Sequence, residues 1–254
     1  MLQKPRRQNP KPRTLLEVQG VVFLRFTSAL LLTGACWWIW TRARLGSLQW
    51  WEALLFALLV LFVSPTELLA HKYGLHHLPR TITVWGYTIE LPDTSSARHH
   101  RLHHRKQARV EWIFIPLMAA LLVVFGLTGI GVLLSTFTSF PLVAAADICT
   151  FVFLRVLWEE EMHYLAHCSS YKPEVGTLWA RYVVRVTTPH KRHHQRNEKF
   201  NWEVSTLWRW ADWLYGLWQR YRGRLATPDI PLSHTTDTLG VEIDDEGYVI
   251  KQAA

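Results

Sequence analysis

Cysteine is scarce in this 254-residue chain. There are three, and no two form a CxxC pair. That excludes a zinc site built on paired thiolates. Cys36 and Cys149 lie inside apolar runs and read as small buried hydrophobes. A small-residue cleavage site is also missing. The first apolar run ends in bulky Trp37-Trp38-Ile39-Trp40, so it is expected to be a retained helix and not a cleaved leader. No nucleic-acid reading motif accompanies the net charge of +8, which points the basic balance at a membrane face instead. Internal repeats are absent too, apart from one histidine pattern used twice.

What is present is sharply segregated. Hydrophobic residues make up 49% of the chain, an ordinary share, but they gather in long runs with the charges between them. That is a membrane signature, and the 14 Trp fit it because indole rings favour the membrane–water boundary. The expected fold is all-α and integral to the membrane, with about four transmembrane helices near 20–40, 49–70, 111–127 and 131–157. Gly126, Gly129 and Gly131 are expected to form the turn between the last two. Residues 1–19, with Lys4, Arg6, Arg7, Lys11, Arg13 and three prolines, read as a disordered basic arm. Residues 200–222 alternate aromatic and charged and look like an interfacial amphipathic helix. Residues 223–254 form an acidic tail, in which Val241 to Ile250 suits a small hairpin. The membrane domain thus covers 20–222, and residues 71–110 and 158–222 make a helical cap.

Ten of the 13 histidines fall into four ordered runs at the edges of the apolar segments. They are His71 and His76 (HxxxxH), His100, His103 and His104 (HxxHH), His163 and His167 (HxxxH), and His190, His193 and His194 (HxxHH). Helical positions three and four apart share a face, so each HxxHH run points its imidazoles together and can divide them between two ions. His71 and His76 diverge by about 140° on an α-helix, unless a bend at Gly74 brings them in. Pro189 suits the first position of the helix carrying the last run. Neutral imidazole is the commonest metal ligand, and ten are too many for one ion, so a two-metal centre is expected. Glu67, Glu159, Glu160 and Asp212 are candidate partners for the outer N–H of the ligating imidazoles. His77, His99 and His234 are read as bystanders. Asp147, inside an apolar run, is either functional or paired within the membrane.

One centre needs all four runs on one membrane side, hence an even number of crossings between Arg105 and Glu159. The basic arm and the Arg98, Arg101, Arg105, Lys106, Arg109 segment place that side in the cytoplasm.

The ordered set HxxxxH, HxxHH, HxxxH, HxxHH resembles the fatty acid hydroxylase/sterol desaturase superfamily of integral-membrane di-iron enzymes. Ordinary acyl desaturases lack the HxxxH run, so His163 and His167 discriminate. Glu67 to Pro79 is similar to the family's first histidine motif, Glu160 to Tyr164 to its Asp-x-x-His-Tyr, and Asp212 to Gly216 to its closing motif. Lys72, Cys168, Ala211 and Leu217 depart from the usual residues. The resemblance implies a cytosolic metal-bearing cap holding two iron ions (zinc can replace them in an isolated sample), O2 as co-substrate, and a membrane lipid as substrate. It implies hydroxylation of a fatty-acyl or related chain, with sterol or carotenoid desaturation or hydroxylation as the alternative. No haem-binding His-Pro-Gly-Gly segment is present, so electrons are expected from a separate cytochrome- or ferredoxin-type donor with its reductase. A reading of another class is a non-redox membrane metal-binding or transport protein, which would carry ligands along a crossing path.

Overall fold

The computed structural model describes residues 11–107, 109–195, 203, 209–222, 242–244 and 248–251. Helices dominate: α1 (Leu15–Phe23), α2 (Phe26–Arg44), α3 (Trp50–Leu69), α4 (Ser95–Arg105), α5 (Val110–Ile113), α6 (Leu117–Phe137), α7 (Leu142–His167), α8 (Leu178–Gln195) and α9 (Trp210–Tyr221). A π-helical segment, Ala70–Leu75, continues α3. Two antiparallel hairpins complete the described chain, β1 (Arg80–Val84) with β2 (Tyr87–Leu91), and β3 (Glu242–Ile243) with β4 (Val249–Lys251). The second is the small hairpin expected in the acidic tail.

Two helical stretches are long and apolar enough to cross a membrane, Trp50–Leu75 and Val110–Phe137. A third is reached if Leu15–Phe23 and Thr27–Arg44, which meet at 87°, count as one broken span. The start of α1 corrects the expected arm. Thr14 and Glu17 form a capping box, Thr14 Oγ1 accepting from the Glu17 N–H at 3.2 Å and Glu17 accepting from the Thr14 N–H at 3.3 Å. The helix therefore begins inside 1–19. The part of the arm within residues 1–10 lies outside the described residues.

The glycine turn is also corrected. Gly126, Gly129 and Gly131 all lie within α6, and the chain turns at 138–141, ahead of Pro141 as N-cap of α7. Glycine in a helix costs about 1 kcal/mol, which a long apolar segment absorbs. At Gly131 the absent side chain is used: a Cβ there would stand 3.2 Å from that of Ala145 on α7.

Polar pairs fix how the helices run. Ser28 at the start of α2 hydrogen-bonds Glu160 near the end of α7, and Arg42 at the end of α2 pairs with Asp147 near the start of α7 at 3.0 Å. These two helices are antiparallel. Glu52 at the start of α3 also pairs with Arg42, and Glu67 near its end pairs with Arg155, so α3 runs alongside α7 in the same sense. Leu31, Ala35 and Trp38 of α2, Ala120 of α6, and Ala146, Cys149 and Phe153 of α7 form one core cluster. A second cluster, at the end where α3 and α7 finish, joins Val18 and Val22 of α1 to Met162, Leu165, Val183 and Val186. Asp147 is thus half of a helix-to-helix ion pair at the opposite end.

Pro65 lies inside α3 and cannot donate to the carbonyl of Leu61. The Trp210 indole N–H, at the start of α9, donates to that carbonyl at 3.1 Å. The Ala211 N–H donates to Ser64 Oγ at 3.0 Å. The break left by the proline is where α9 docks, with Leu68 and Ala211 packed beneath it. The outward face of α9 leaves Trp213, Leu214, Leu217, Trp218 and Tyr221 exposed. The Phe200, Trp202 and Trp208 part of the expected amphipathic helix lies outside the described residues.

Candidate metal centre

The four histidine runs meet at the common end of α3 and α7. His71 and His76 come from the π-helical segment, whose His76 N–H bonds the His71 carbonyl at 3.0 Å. In a helix closed by i→i+5 bonds, the fifth residue lies about one turn on, so both imidazoles reach the same side. Their rings stack with centroids 5.1 Å apart. This local rewinding, and not a bend at Gly74, removes the divergence expected for an α-helix. His100, His103 and His104 come from α4, whose N-cap Thr94 accepts from the Ala97 N–H at 3.1 Å. His163 and His167 form the last turn of α7, and His190, His193 and His194 the last turn of α8. Pro189 is inside α8 and not at its start, because the Val183 and Val186 face extends the helix back to Leu178.

The ten imidazoles form two groups of five. One holds His71, His76, His100, His104 and His193; the other holds His103, His163, His167, His190 and His194. Within each group the ligand atoms all lie within 4.8 Å of one another. Each HxxHH run is divided. In α4 the i, i+4 pair serves the first group and His103 the second. In α8 the pair serves the second group and His193 the first. The stack of His104 on His194, with centroids 4.1 Å apart, joins the two.

Nε2 of His100 approaches Nε2 of His71, His76 and His104 at 3.1, 3.0 and 3.0 Å. One ring nitrogen has a single proton or a single lone pair, so three such approaches are not three hydrogen bonds. In the second group, Nε2 of His103 lies 2.9 Å from His163 and 3.1 Å from His194, and His190 lies 3.1 Å from His167 and 2.9 Å from His194. Lone pairs converging in this way fit a cation. With metal–nitrogen bonds of about 2.1 Å, neighbouring ligands stand about 3.0 Å apart at right angles and about 3.4 Å apart in a tetrahedron. The observed spacing is the right-angled one. Five nitrogen donors at this spacing would suit one cation in each group.

The electrostatics favour ligation. Eight of the ten histidines are buried, and His103, His190 and His193 are fully so. Burial pushes His76, His100, His103, His104, His163, His190 and His194 well below the usual imidazole range, and neighbouring imidazoles push the same way. His167 is pushed down to about 3 by burial. These shifted imidazoles are neutral at pH 7, the form that binds metal.

The four expected outer carboxylates pair with groups on and around the helices that carry the histidines. Glu67 pairs with Arg155, which also lies 3.6 Å from Glu159. Glu160 accepts from Ser28 and from the Ile115 N–H at 2.9 Å. Asp212 pairs with Arg209 at 2.6 Å. These contacts hold the helices that carry the histidines. His163 bonds the backbone of Ile113. Of the bystanders, His77 bonds the Pro92 carbonyl at 3.1 Å and His99 the Phe114 carbonyl at 3.0 Å, contacts that brace the loops around α4. His234 lies outside the described residues.

Three supporting residues were not singled out in the sequence. Arg101 is 1% exposed, donating to the His77 carbonyl at 3.0 Å and to Asp93 at 2.7 Å. A cation inside a histidine run was its signal. Arg155 had a similar one, a lone charge in an apolar run. Glu203 is fully buried and accepts from Ser64 Oγ at 2.7 Å and the Asp212 N–H at 3.0 Å. Nothing local marks it out.

No protein-family model, curated protein or solved structure matches this chain. The likeness therefore rests on the site itself. Two histidine clusters suited to a dimetal centre, with two apolar helices of membrane length, match the pattern of the histidine-box di-iron superfamily.

Proposed function

We propose that the chain is an integral-membrane, O2-dependent hydroxylase that inserts a hydroxyl group into a C–H bond of a fatty-acyl or related lipid. The observation that carries this reading is the convergence of ten imidazoles into two groups of five at one end of membrane-length helices. His71, His76, His100, His104 and His193 would hold one iron ion, and His103, His163, His167, His190 and His194 the other. Iron held there would supply the oxidising chemistry that an unactivated C–H bond needs and that acid–base residues alone cannot provide. The protein's own part is to keep the imidazoles neutral, exclude water by burial and hold both groups in register through α4 and α8. Glu67, Glu159, Glu160 and Asp212 support those helices through Arg155, Ser28, Ile115 and Arg209.

In this reading α2, α3, α6 and α7 are the four spans and the histidine-bearing cap faces the cytoplasm, beside the basic N-terminal arm. Residues 20–222 form the oxidising domain and 223–254 an appended tail. A separate cytochrome- or ferredoxin-type protein supplies electrons. Sterols and carotenoids are the alternative substrates. The transport reading loses its main support in Asp147, which is engaged by Arg42.

The test compares lipid extracts from cells with and without the protein by mass spectrometry. A lipid heavier by one oxygen atom is expected, absent with His104→Ala or His194→Ala. Oxidation that survives both substitutions, or purified protein with no stoichiometric iron, overturns the proposal.

A further inference from the structure

A half-open cavity of about 260 Å³ adjoins the first histidine group. His76 lines it together with Lys72, Tyr73, His77 and Arg80, and no carboxylate among the described residues does. Its polar groups are organised. Lys72 Nζ donates to the hydroxyls of Tyr73 at 2.9 Å and Tyr215 at 2.6 Å, and sits 3.9 Å from the centre of the Tyr215 ring. An ammonium has three donors, so one remains. The Tyr215 hydroxyl also accepts from Gln219 at 2.5 Å, which leaves its own proton to donate. Arg80 is exposed at the start of β1, and its guanidinium has no hydrogen-bond or ion-pair partner among the described residues.

From this we infer that the cavity binds the anionic head of the lipid substrate, a carboxylate or a phosphate monoester, between Lys72 and Arg80. Two cations and no acid select against a neutral head. The volume is below the roughly 300 Å³ of ordinary small-molecule pockets, so it takes a head group and not an acyl chain. The chain would leave through the open side, past the exposed ring of Tyr73. The head group shares its cavity with His76, so it lies at the metal centre. Lys72 comes from the turn next to His71, and Tyr215 from the helix seated at Pro65. One substrate head thus reads both the π-helical segment and α9. The inference rests on the lipid-oxidising reading for the acyl chain, but the anion preference is measurable without any oxidation.

The experiment uses the full chain in nanodiscs of phosphatidylcholine, both metal-loaded and metal-free. Binding of radiolabelled palmitate, hexadecyl phosphate and hexadecanol is compared. At least one anion is expected to bind about tenfold more tightly than the alcohol, the factor of one charge-assisted hydrogen bond. Whichever anion binds more tightly identifies the head. Lys72→Met and Arg80→Ala should each reduce the preference. Arg80 is exposed and its side chain makes no hydrogen bond or ion pair among the described residues, so its variant reads out even if Lys72→Met does not fold. Equal binding of all three ligands overturns the inference, as does a preference unchanged by Arg80→Ala. Anion preference in protein that never oxidises lipid counts against the proposed function and leaves this inference standing.

Discussion

Glu203 has one oxygen satisfied by two donors and the other buried without a hydrogen-bond partner among the described residues. Burial pushes its carboxyl up to about 7 from an ordinary 4.5, and Asp212 and Glu67 add to the push. The folded protein therefore keeps a proton that the unfolded chain releases between pH 4.5 and 7. Stability from this group is full below that window, falls as pH rises through it, and stays lower above it. At about 1.4 kcal/mol per unit, the loss is about 3 kcal/mol. Glu203→Gln keeps the acceptor oxygen and removes the titration. It should melt higher than the parent at pH 8 and level with it near pH 4.5, measured by thermal unfolding in detergent. Equal melting temperatures at pH 8 would show that Glu203 is solvated and ionises at no cost to the fold. The histidines were legible because helical geometry turns spacing into direction. Glu203 was not, because its burial comes from Ser64 and Asp212, which only the docking of α9 brings to it.

Elements were legible where their cause is local and hidden where it is not. The apolar runs announce α3 and α6, and the Thr14–Glu17 capping box could have placed the start of α1. Gly131 and Pro189 misled because tertiary packing overrode local preference: close approach to Ala145 suits the glycine, and an apolar face carries α8 through the proline. The π-helical rewinding of Ala70–Leu75 has no spacing signal beyond the five-residue gap it serves. At the opposite end of the helices, Arg42 binds Glu52 of α3 and Asp147 of α7, with side chains 2% and 3% exposed on the acids. Removing the cation strands two buried carboxylates. Arg42→Met should cost about 3–5 kcal/mol of stability. Adding Glu52→Gln and Asp147→Asn should recover most of it in the same thermal assay. No recovery would mean that the guanidinium acts by packing.

At the scale of the whole molecule, the four runs had to share one end, and the pairing of helix starts and ends delivers that. The division of labour between the two groups was open in the sequence. Spacing shows that an HxxHH run can serve two ions, but only the crossing of α4 and α8 decides which histidine goes where. Each of those helices gives histidines to both groups, so neither would be fully placed by a single ion. With two ions bound as proposed, the first would bind at the expense of fixing both helices, and the second would find them fixed. Anaerobic titration of metal-free protein with Fe(II), followed by native mass spectrometry, should show at half saturation mostly empty and doubly loaded chains. A dominant singly loaded species would mean that the groups fill independently. On the proposed function, the interleaved runs would make the protein a coincidence detector for iron. Its assembled fraction would then rise with the square of free metal at low supply, so a modest shortage of iron would withdraw the whole centre and leave few half-built sites behind.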